Sequence, residues 1–168
     1  MIRTKVINDS TDLVSIMRAF DSPTKKEVFF EISRDWIPTS AIIEKFGTKG
    51  QDALESFDHM KLAETKWTTP EEGIEGRPQK MYRSFYSLFN INISCPVNEI
   101  SEIFTISALD DNSFKKLEDE IYQFIGETGT FGNKVSENFH LSNAALKALV
   151  KRSNKFHYTG LKIIRKQD

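Results

Sequence analysis

The hydrophobic period of the chain changes near residue 61, and no other feature constrains the fold as strongly. Before this point apolar residues recur every three or four positions, as Leu54, Phe57 and Met60 do, which is the spacing of a helix with one buried face. In the ranges 62–68 and 80–86 apolar and polar residues alternate instead, which is typical of strands. The sequence therefore predicts a set of helices followed directly by a β-hairpin.

Capping signals divide the part before the hairpin into separate helices. Ser22 precedes Pro23, so that one residue can cap a helix and the next can occupy its first turn. Gly47 ends a shorter helix, and Thr48-Lys49-Gly50 are predicted to form the turn into the next one. Two short helices joined by a tight turn with glycine are typical of a helix-turn-helix. The predicted helices cover 11–20, 23–33, 41–46 and a last segment that ends near residue 61.

The predicted hairpin collects positive charge. Arg77, Lys80 and Arg83 lie within seven residues, and Lys66 lies on the opposing strand. Pro78 favours an extended backbone at Arg77, which presents the guanidinium group at low entropic cost. A basic hairpin can lie in the minor groove of DNA, where narrow A·T tracts attract arginine; it can also be an ordinary solvated hairpin. The segment with most of these residues is Glu75-Gly76-Arg77-Pro78-Gln79-Lys80-Met81-Tyr82-Arg83, in which Gln79 is a further candidate DNA contact.

The last helix before the hairpin is the candidate for reading DNA bases. In a helix-turn-helix the second helix enters the major groove, and residues near its start reach the base edges. Glutamine suits adenine, lysine suits guanine or phosphate, and a carboxylate suits the amino group of cytosine. Three acids on this helix also fit a face that is merely solvated. The residues that the apolar stripe leaves exposed are Thr48, Lys49, Gln51, Asp52, Glu55 and Ser56.

Overall charge and composition limit the classes of function. The formal net charge is −1, from 23 basic and 24 acidic residues, which counts against binding nucleic acid by bulk charge alone. Hydrophobic residues make up 39% of the chain, yet no apolar run approaches the roughly 20 residues that a membrane span needs. The first residues lack the apolar region of a secretory signal. We therefore expect a soluble cytoplasmic protein without membrane contact.

The sequence carries no arrangement typical of an enzyme or a metal site. Cys95 is the single cysteine, so a disulfide within the chain and a thiolate cluster are excluded. His59, His140 and His157 are far apart, and no pair has the spacing of helical metal ligands. A phosphate-binding glycine loop, a Ser/His/Asp order and a zinc-protease motif are all missing. We expect a protein that is not an enzyme and that binds neither a cofactor nor a metal.

Residues 96–168 are predicted to form a helical dimerisation or accessory region, following a first domain of residues 1–95. Apolar stripes predict helices over 97–109, over a segment capped by Asn112 or Ser113, and over 143–153, while weak alternation beyond residue 155 fits a short strand. The range 126–133 contains three glycines and is expected to be a loop. These helices can join two copies of the chain, or they can merely pack on the first domain. The last 22 residues hold Lys147, Lys151, Arg152, Lys155, Lys162, Arg165 and Lys166 against Asp168, which fits a second DNA-contacting or partner surface, or a solvated basic end.

Three motifs in order resemble the ArsR-type winged-helix regulators. The segments 21–28, 54–64 and 76–83 resemble the opening helix, the end of the recognition helix and the hairpin, or wing, of that family, and together they span roughly residues 10–90. The nearest likeness is the archaeal branch, which includes activators of archaellum genes. The resemblance implies dimeric binding to promoter DNA. The chain departs from the pattern at Met60-Lys61, where a helix-ending glycine is usual, and in its more acidic recognition helix.

We therefore predict an α+β fold that is mainly helical: a winged helix-turn-helix of three helices and a hairpin wing, with a C-terminal helical extension. The predicted function is sequence-specific binding of double-stranded promoter DNA by a homodimeric transcription regulator. The alternative is a winged helix that contacts another protein in a transcription or assembly complex. The near-zero net charge and the acidic helix support that alternative.

Overall fold

The computed structural model describes residues 2–68 and 77–166, which form two compact units. The first unit takes its described residues from Met1–Val6 and Arg18–Ile91, and the second from Ile7–Met17 and Asn92–Asp168. The sequence placed a single boundary between residues 95 and 96. In the structure the boundary between the two units falls after Ile91, and residues 7–17 also belong to the second unit.

The described residues form helices and short strands in both units. In order they are β1 (Thr4–Ile7), a 3-10 turn (Ser10–Asp12), α1 (Leu13–Ala19), α2 (Pro23–Arg34), β2 (Ile37–Pro38), α3 (Thr39–His59), β3 (Ala63–Thr68), β4 (Gln79–Ser84), β5 (Leu88–Ile91), α4 (Val97–Ala108), α5 (Asp111–Ile125), β6 (Thr130–Phe131), α6 (Gly132–Phe139), α7 (Asn143–Arg152), β7 (Phe156–Thr159) and β8 (Lys162–Arg165). This arrangement confirms that the fold is α+β and mainly helical. None of the described helices is both long and apolar enough to cross a membrane.

The start of α2 follows the predicted capping pattern. The Ser22 hydroxyl accepts a hydrogen bond from the backbone N–H of Lys25 at 3.2 Å, and Pro23 occupies the first turn. The cap satisfies one of the donors that a helix leaves unpaired at its start. The predicted inner face is buried, with Val28 and Ile32 fully inaccessible to solvent.

Helix α3 contains a sharp kink instead of the predicted three-residue turn. Gly47 has φ 63° and ψ −156°, a conformation that a residue with a Cβ atom adopts only with strain. Helical geometry resumes at once, so the prediction that Thr48-Lys49-Gly50 form the turn is wrong. Gly50 lies inside the helix, where an added Cβ would stand 2.7 Å from the Cβ of Phe46 and 2.9 Å from Cγ2 of Ile42. The two helical segments, 39–46 and 48–59, therefore meet at Gly50.

The hairpin that follows α3 belongs to a three-stranded antiparallel sheet. Strand β4 is central and pairs with β3 on one side and with the two-residue strand β2 on the other. Tyr82, which pairs with Thr65 and with Ile37, is 3% exposed, so the centre of the sheet faces the core. The sequence did not predict strand β2. Strand β5 forms a separate pair with β1, which the sequence did not predict.

The core of the first unit lies between α2, α3 and the sheet. Phe57 is fully buried, and its ring packs edge to face against that of Phe29 at 5.2 Å between centroids. Phe29 makes a second such contact with Phe20 at 5.1 Å. Edge-to-face pairs of this kind add to the hydrophobic gain from burial. The remaining core residues come from the predicted apolar stripes, as Ile42 and Leu54 do.

The second unit combines helices α4–α7 with a three-stranded sheet. Its order is β6-β8-β7, and all pairs are antiparallel. The Ser142 hydroxyl caps α7, and Asp110 caps α5 in place of the predicted Asn112 or Ser113. Helix α6 and strand β6 were not predicted. The region that was expected to be helical therefore contains both helices and a β-sheet. The core residues of this unit include Ile103, Ile121, Leu146, Leu149 and Phe156.

The crowding at Gly50 yields a stability prediction. Gly50→Ala is expected to lower the free energy of unfolding by up to about 2 kcal/mol. Overpacking costs about 1–3 kcal/mol, because the neighbouring atoms are close to the backbone and cannot move aside cheaply. The better helix propensity of alanine offsets about 1 kcal/mol of this cost. Urea denaturation measures the change. Glu44→Ala, at an exposed position of the same helix, should stay within about 0.5 kcal/mol of the wild type. A Gly50→Ala variant as stable as the wild type would contradict the close packing.

Candidate nucleic-acid interface

The second segment of α3 presents the side chains that the sequence selected. Ala53, Leu54 and Phe57 are buried, and this fixes which side of the helix faces solvent. The six candidate residues lie on the other side: Thr48, Lys49, Gln51, Asp52 and Glu55 are exposed, and Ser56 is half-buried. The helix therefore offers these side chains to a partner.

Gln51 is oriented by its neighbour on the same face. Its Nε2 donates a hydrogen bond to Oε1 of Glu55 at 3.0 Å, one helical turn along. The amide keeps its second N–H and its carbonyl oxygen, which are the two groups that a glutamine needs for an adenine edge. Glu55 thus orients the Gln51 side chain on the exposed face of the helix.

An ion pair joins α3 to the hairpin. Nζ of Lys80 on β4 lies 2.9 Å from Oδ2 of Asp58, which follows the candidate residues on the helix. Interaction with the Tyr82 side chain and the hydrogen bond to Asp58 raise the pKa of Lys80, so this lysine stays charged. The pair neutralises one of the three acids on the helix. It also holds Lys80, which the sequence predicted to contact DNA, against a carboxylate of the same unit.

Glu64 binds two arginines at the base of the hairpin. Arg83, its partner across the β3–β4 ladder, donates from Nε and Nη2 to Oε1 at 3.0 and 2.7 Å. Arg3 donates from Nη1 to Oε2 at 2.9 Å. Burial raises the pKa of the Glu64 carboxyl, but the hydrogen bonds from Arg83 and Arg3 outweigh it, so the pKa lies below its usual range. Much of the charge of Arg83 is thereby neutralised.

Trp36 lies against two of the predicted cations. Its ring is 4.3 Å from Nζ of Lys66 and 4.7 Å from Cζ of Arg83, measured to the ring centroid. Contacts of this kind attract a cation to the face of the indole. They leave the charge in place, so Lys66, which is exposed, remains available to an anionic partner.

The other hairpin residues differ in how free they are. Gln79 accepts a hydrogen bond from the Ser40 hydroxyl at 2.9 Å, which ties the hairpin to the start of α3. Arg77 is exposed and makes no ion pair with any described residue. The beginning of the predicted wing, Glu75 and Gly76, lies outside the described residues. Arg77 is therefore the hairpin cation that is best placed to meet a phosphate.

Sequence reasoning missed three residues of this surface. These are Trp36, Glu64 and Trp67, none of which was named as a candidate from the sequence. Trp67 is 69% exposed on β3, beside Lys80 in the ladder. The available signal was that Trp67 lies within the first strand of the predicted basic hairpin, next to Lys66. In the described ranges, no group of three His, Cys, Asp or Glu side chains could hold a metal ion.

Comparison with known proteins identifies one family. Residues 7–167 match the model of a family described as ArsR transcriptional regulator. This range is nearly the whole chain, whereas the motif resemblance covered only the first half. No curated protein matches the chain. The family match therefore extends over both compact units.

The Glu64 cluster yields a prediction about pH. Because the pKa of Glu64 is lowered in the folded state, the carboxylate stabilises the fold above the ordinary glutamate pKa of about 4.3. This contribution is lost as the pH falls through the folded-state pKa. Glu64→Gln is expected to reduce the free energy of unfolding by about 1 kcal/mol at pH 7 and to flatten its decline in acid.

Denaturant titrations from about pH 7 down to pH 3 measure this effect. Glu120→Gln is the matched control, since Glu120 is exposed on α5 and makes no ion pair in the described part of the chain. It should follow the wild type at every pH. A loss for Glu64→Gln that is equal at all pH values would show that the carboxylate charge does not carry the stabilisation.

Proposed function

The chain belongs to the ArsR family of transcriptional regulators, and we propose that it binds double-stranded promoter DNA in a sequence-specific way. In this proposal the first unit is a winged helix-turn-helix. The two segments of α3 are the helix-turn-helix pair, and the β3–β4 hairpin is the wing. The chain acts as a homodimer in the cytoplasm, and its motifs favour the archaeal branch of the family, with the archaellum-gene activators as the nearest likeness.

The observation that carries the proposal is the exposed polar face of the second α3 segment. A recognition helix in the major groove needs a buried apolar stripe on one side and hydrogen-bonding side chains on the other. The segment meets both conditions, with Gln51 held by Glu55 and with Lys49 exposed beside them. Gln51 reads adenine, and Lys49 contacts guanine or phosphate.

The wing supplies phosphate contacts that the acidic helix lacks. Arg77 and Lys66 are its available cations, while Lys80 and Arg83 are held by Asp58 and Glu64. Binding affinity is therefore expected to depend on a small number of phosphate contacts, with a correspondingly modest salt dependence. Base contacts from α3 then contribute a larger share of the specificity.

A protein-contact function is the second candidate. Trp67 is 69% exposed on the hairpin, and Phe20, Phe29 and Phe30 line an apolar groove of about 550 Å³ in the same unit. Exposed aromatic side chains of this kind are typical of protein interfaces. Selection of bound sequences from random duplex DNA separates the two candidates. Enrichment of a motif supports the regulator, and the absence of any enriched motif would favour the protein-contact function.

Arg77→Ala is expected to weaken binding to all duplex sequences alike. Loss of one phosphate contact lowers the slope of log Kd against log salt concentration by about one. Fluorescence anisotropy with the selected duplex and with an unrelated duplex measures both effects. Lys116→Ala, which removes an exposed charge on α5 of the second unit, is the control and should keep the wild-type slope. An unchanged slope for Arg77→Ala would remove the wing from the mechanism.

Gln51→Ala is expected to act on one base position only. Loss of a bidentate contact costs about 1–3 kcal/mol of discrimination at that position and leaves non-specific affinity nearly unchanged. A repeated selection with the variant shows whether one position of the motif becomes degenerate. If affinity instead falls uniformly across sequences, Gln51 does not read a base.

A further inference from the structure

The second unit repeats the order of elements of the first. In the first unit a helix is followed by a short strand, a kinked helix pair and two strands: α2, β2, the two segments of α3, β3 and β4. In the second unit α5, β6, α6, α7, β7 and β8 follow in the same order. Both sheets are antiparallel, and in both the last strand is central between the hairpin partner and the short strand. The two units therefore share one topology.

The junction between α6 and α7 is a tight turn between two helices. His140 adopts a left-handed conformation, with φ 52° and ψ 40°, and ends α6. Ser142 then caps α7 by accepting a hydrogen bond from the N–H of Ala145 at 3.0 Å. A three-residue turn of this kind is typical of a helix-turn-helix. In this comparison α7 corresponds to the second segment of α3.

The exposed face of α7 is basic where that of α3 is acidic. Asn143, Lys147 and Lys151 are exposed at intervals of four residues, while Ala145 and Leu149 on the other side are buried. The helix contains no acid, whereas the second segment of α3 carries three acids and one lysine. The helix in the recognition position of the second unit is therefore the better match to a phosphate backbone.

Most of the basic residues near the C-terminus are used inside the unit. Arg152 donates to the carbonyl of Ile106 at 2.9 Å and pairs with Asp111, Lys155 pairs with Asp119, and Arg165 donates to the carbonyl of Tyr122. Lys151 pairs with Asp12 and Lys166 bonds to the carbonyl of Ser153. Of the seven cations that the sequence grouped together, the side chains of Lys147 and Lys162 make no ion pair or hydrogen bond with a described residue. Internal pairing thus reduces the predicted basic C-terminal region to a small basic surface.

Lys147 lines a groove together with a further lysine, Lys134. A cavity of about 740 Å³ lies between the start of α6, the start of α7 and the tip of the β7–β8 hairpin. Lys134 and Lys147 line it, together with Asn133 and Asn143, and no carboxylate is among its described lining residues. Neither lysine makes an ion pair with a described residue. Lys162 lies beside this groove, with its Nζ 5.1 Å from the ring centroid of Phe131.

We propose that the second unit is a second winged helix, and that the groove bordered by Lys134 and Lys147 contacts the backbone of double-stranded DNA. This inference rests on the proposed DNA-binding function of the chain. Two exposed lysines in a groove whose described lining holds no carboxylate fit phosphate, and the two asparagines add hydrogen-bonding groups. In this proposal the groove lies where the recognition helix, the helix before it and the wing converge. The family match supports it, because residues 7–167 include every described residue of the second unit.

The test uses the full chain and the duplex enriched by selection. The variant Lys134→Ala/Lys147→Ala removes both groove cations, and Lys115→Ala/Lys116→Ala removes two exposed lysines of α5 that do not line the groove. All four lysines are exposed, so both variants should melt like the wild type. Anisotropy titrations at several salt concentrations should show Kd raised roughly tenfold for the groove variant and its salt slope reduced by about two. The control should retain the wild-type Kd and slope.

Parallel measurement of Arg77→Ala separates this inference from the proposed function. If Arg77→Ala weakens binding while the groove variant keeps the wild-type Kd and slope, the second unit makes no DNA contact and the inference is overturned. A loss of affinity without a change of slope, or an equal change in the control, overturns it as well. If the wild type binds no duplex, the proposed function fails first and the inference falls with it.

Discussion

The close meeting of two helical segments at Gly50 determines how the first unit can present its surface. An added Cβ would stand 2.7 Å from the Cβ of Phe46, so the second segment of α3 approaches the first as closely as the backbone permits. This approach is possible only because Gly47 adopts a positive φ between them. The apolar stripe with Leu54 and Phe57 then enters the core, and the polar stripe faces outward. The orientation of every candidate base-reading residue follows from these two glycines.

Two of the four cations on the described part of the hairpin are paired with carboxylates of the first unit. Asp58 holds Lys80, and Glu64 holds Arg83 together with Arg3, so the hairpin is less positive than its composition suggests. These pairs fix the hairpin to α3 and to the N-terminal strand. The same side chains cannot bind phosphate without leaving their carboxylates, and exchange of this kind costs part of the Coulombic gain. The ion pairs that hold the hairpin in place therefore reduce the positive charge that it can offer to an anionic partner.

Local signals were readable from the sequence, and long-range pairings were not. Ser22 and Pro23 identify the start of α2 because a cap depends only on adjacent residues, and the exposed face of α3 follows from its apolar period. Strand β2 has two residues and exists only because β4 pairs with it. Glu64 lies 61 residues from its partner Arg3, a pairing that no periodicity predicts. The glycines between residues 126 and 133 read as a loop, although Gly132 begins α6.

The two hairpins differ in the number of residues that connect their strands. In the second unit Thr159 pairs with Lys162, so only Gly160 and Leu161 make the turn, with Gly160 at φ 60°. Inserting one residue there would shift the register and exchange the two faces of the strand. In the first unit Thr68 pairs with Gln79, and ten residues separate the two in the sequence. Within a lineage of such proteins, the second hairpin is thus expected to keep a constant length.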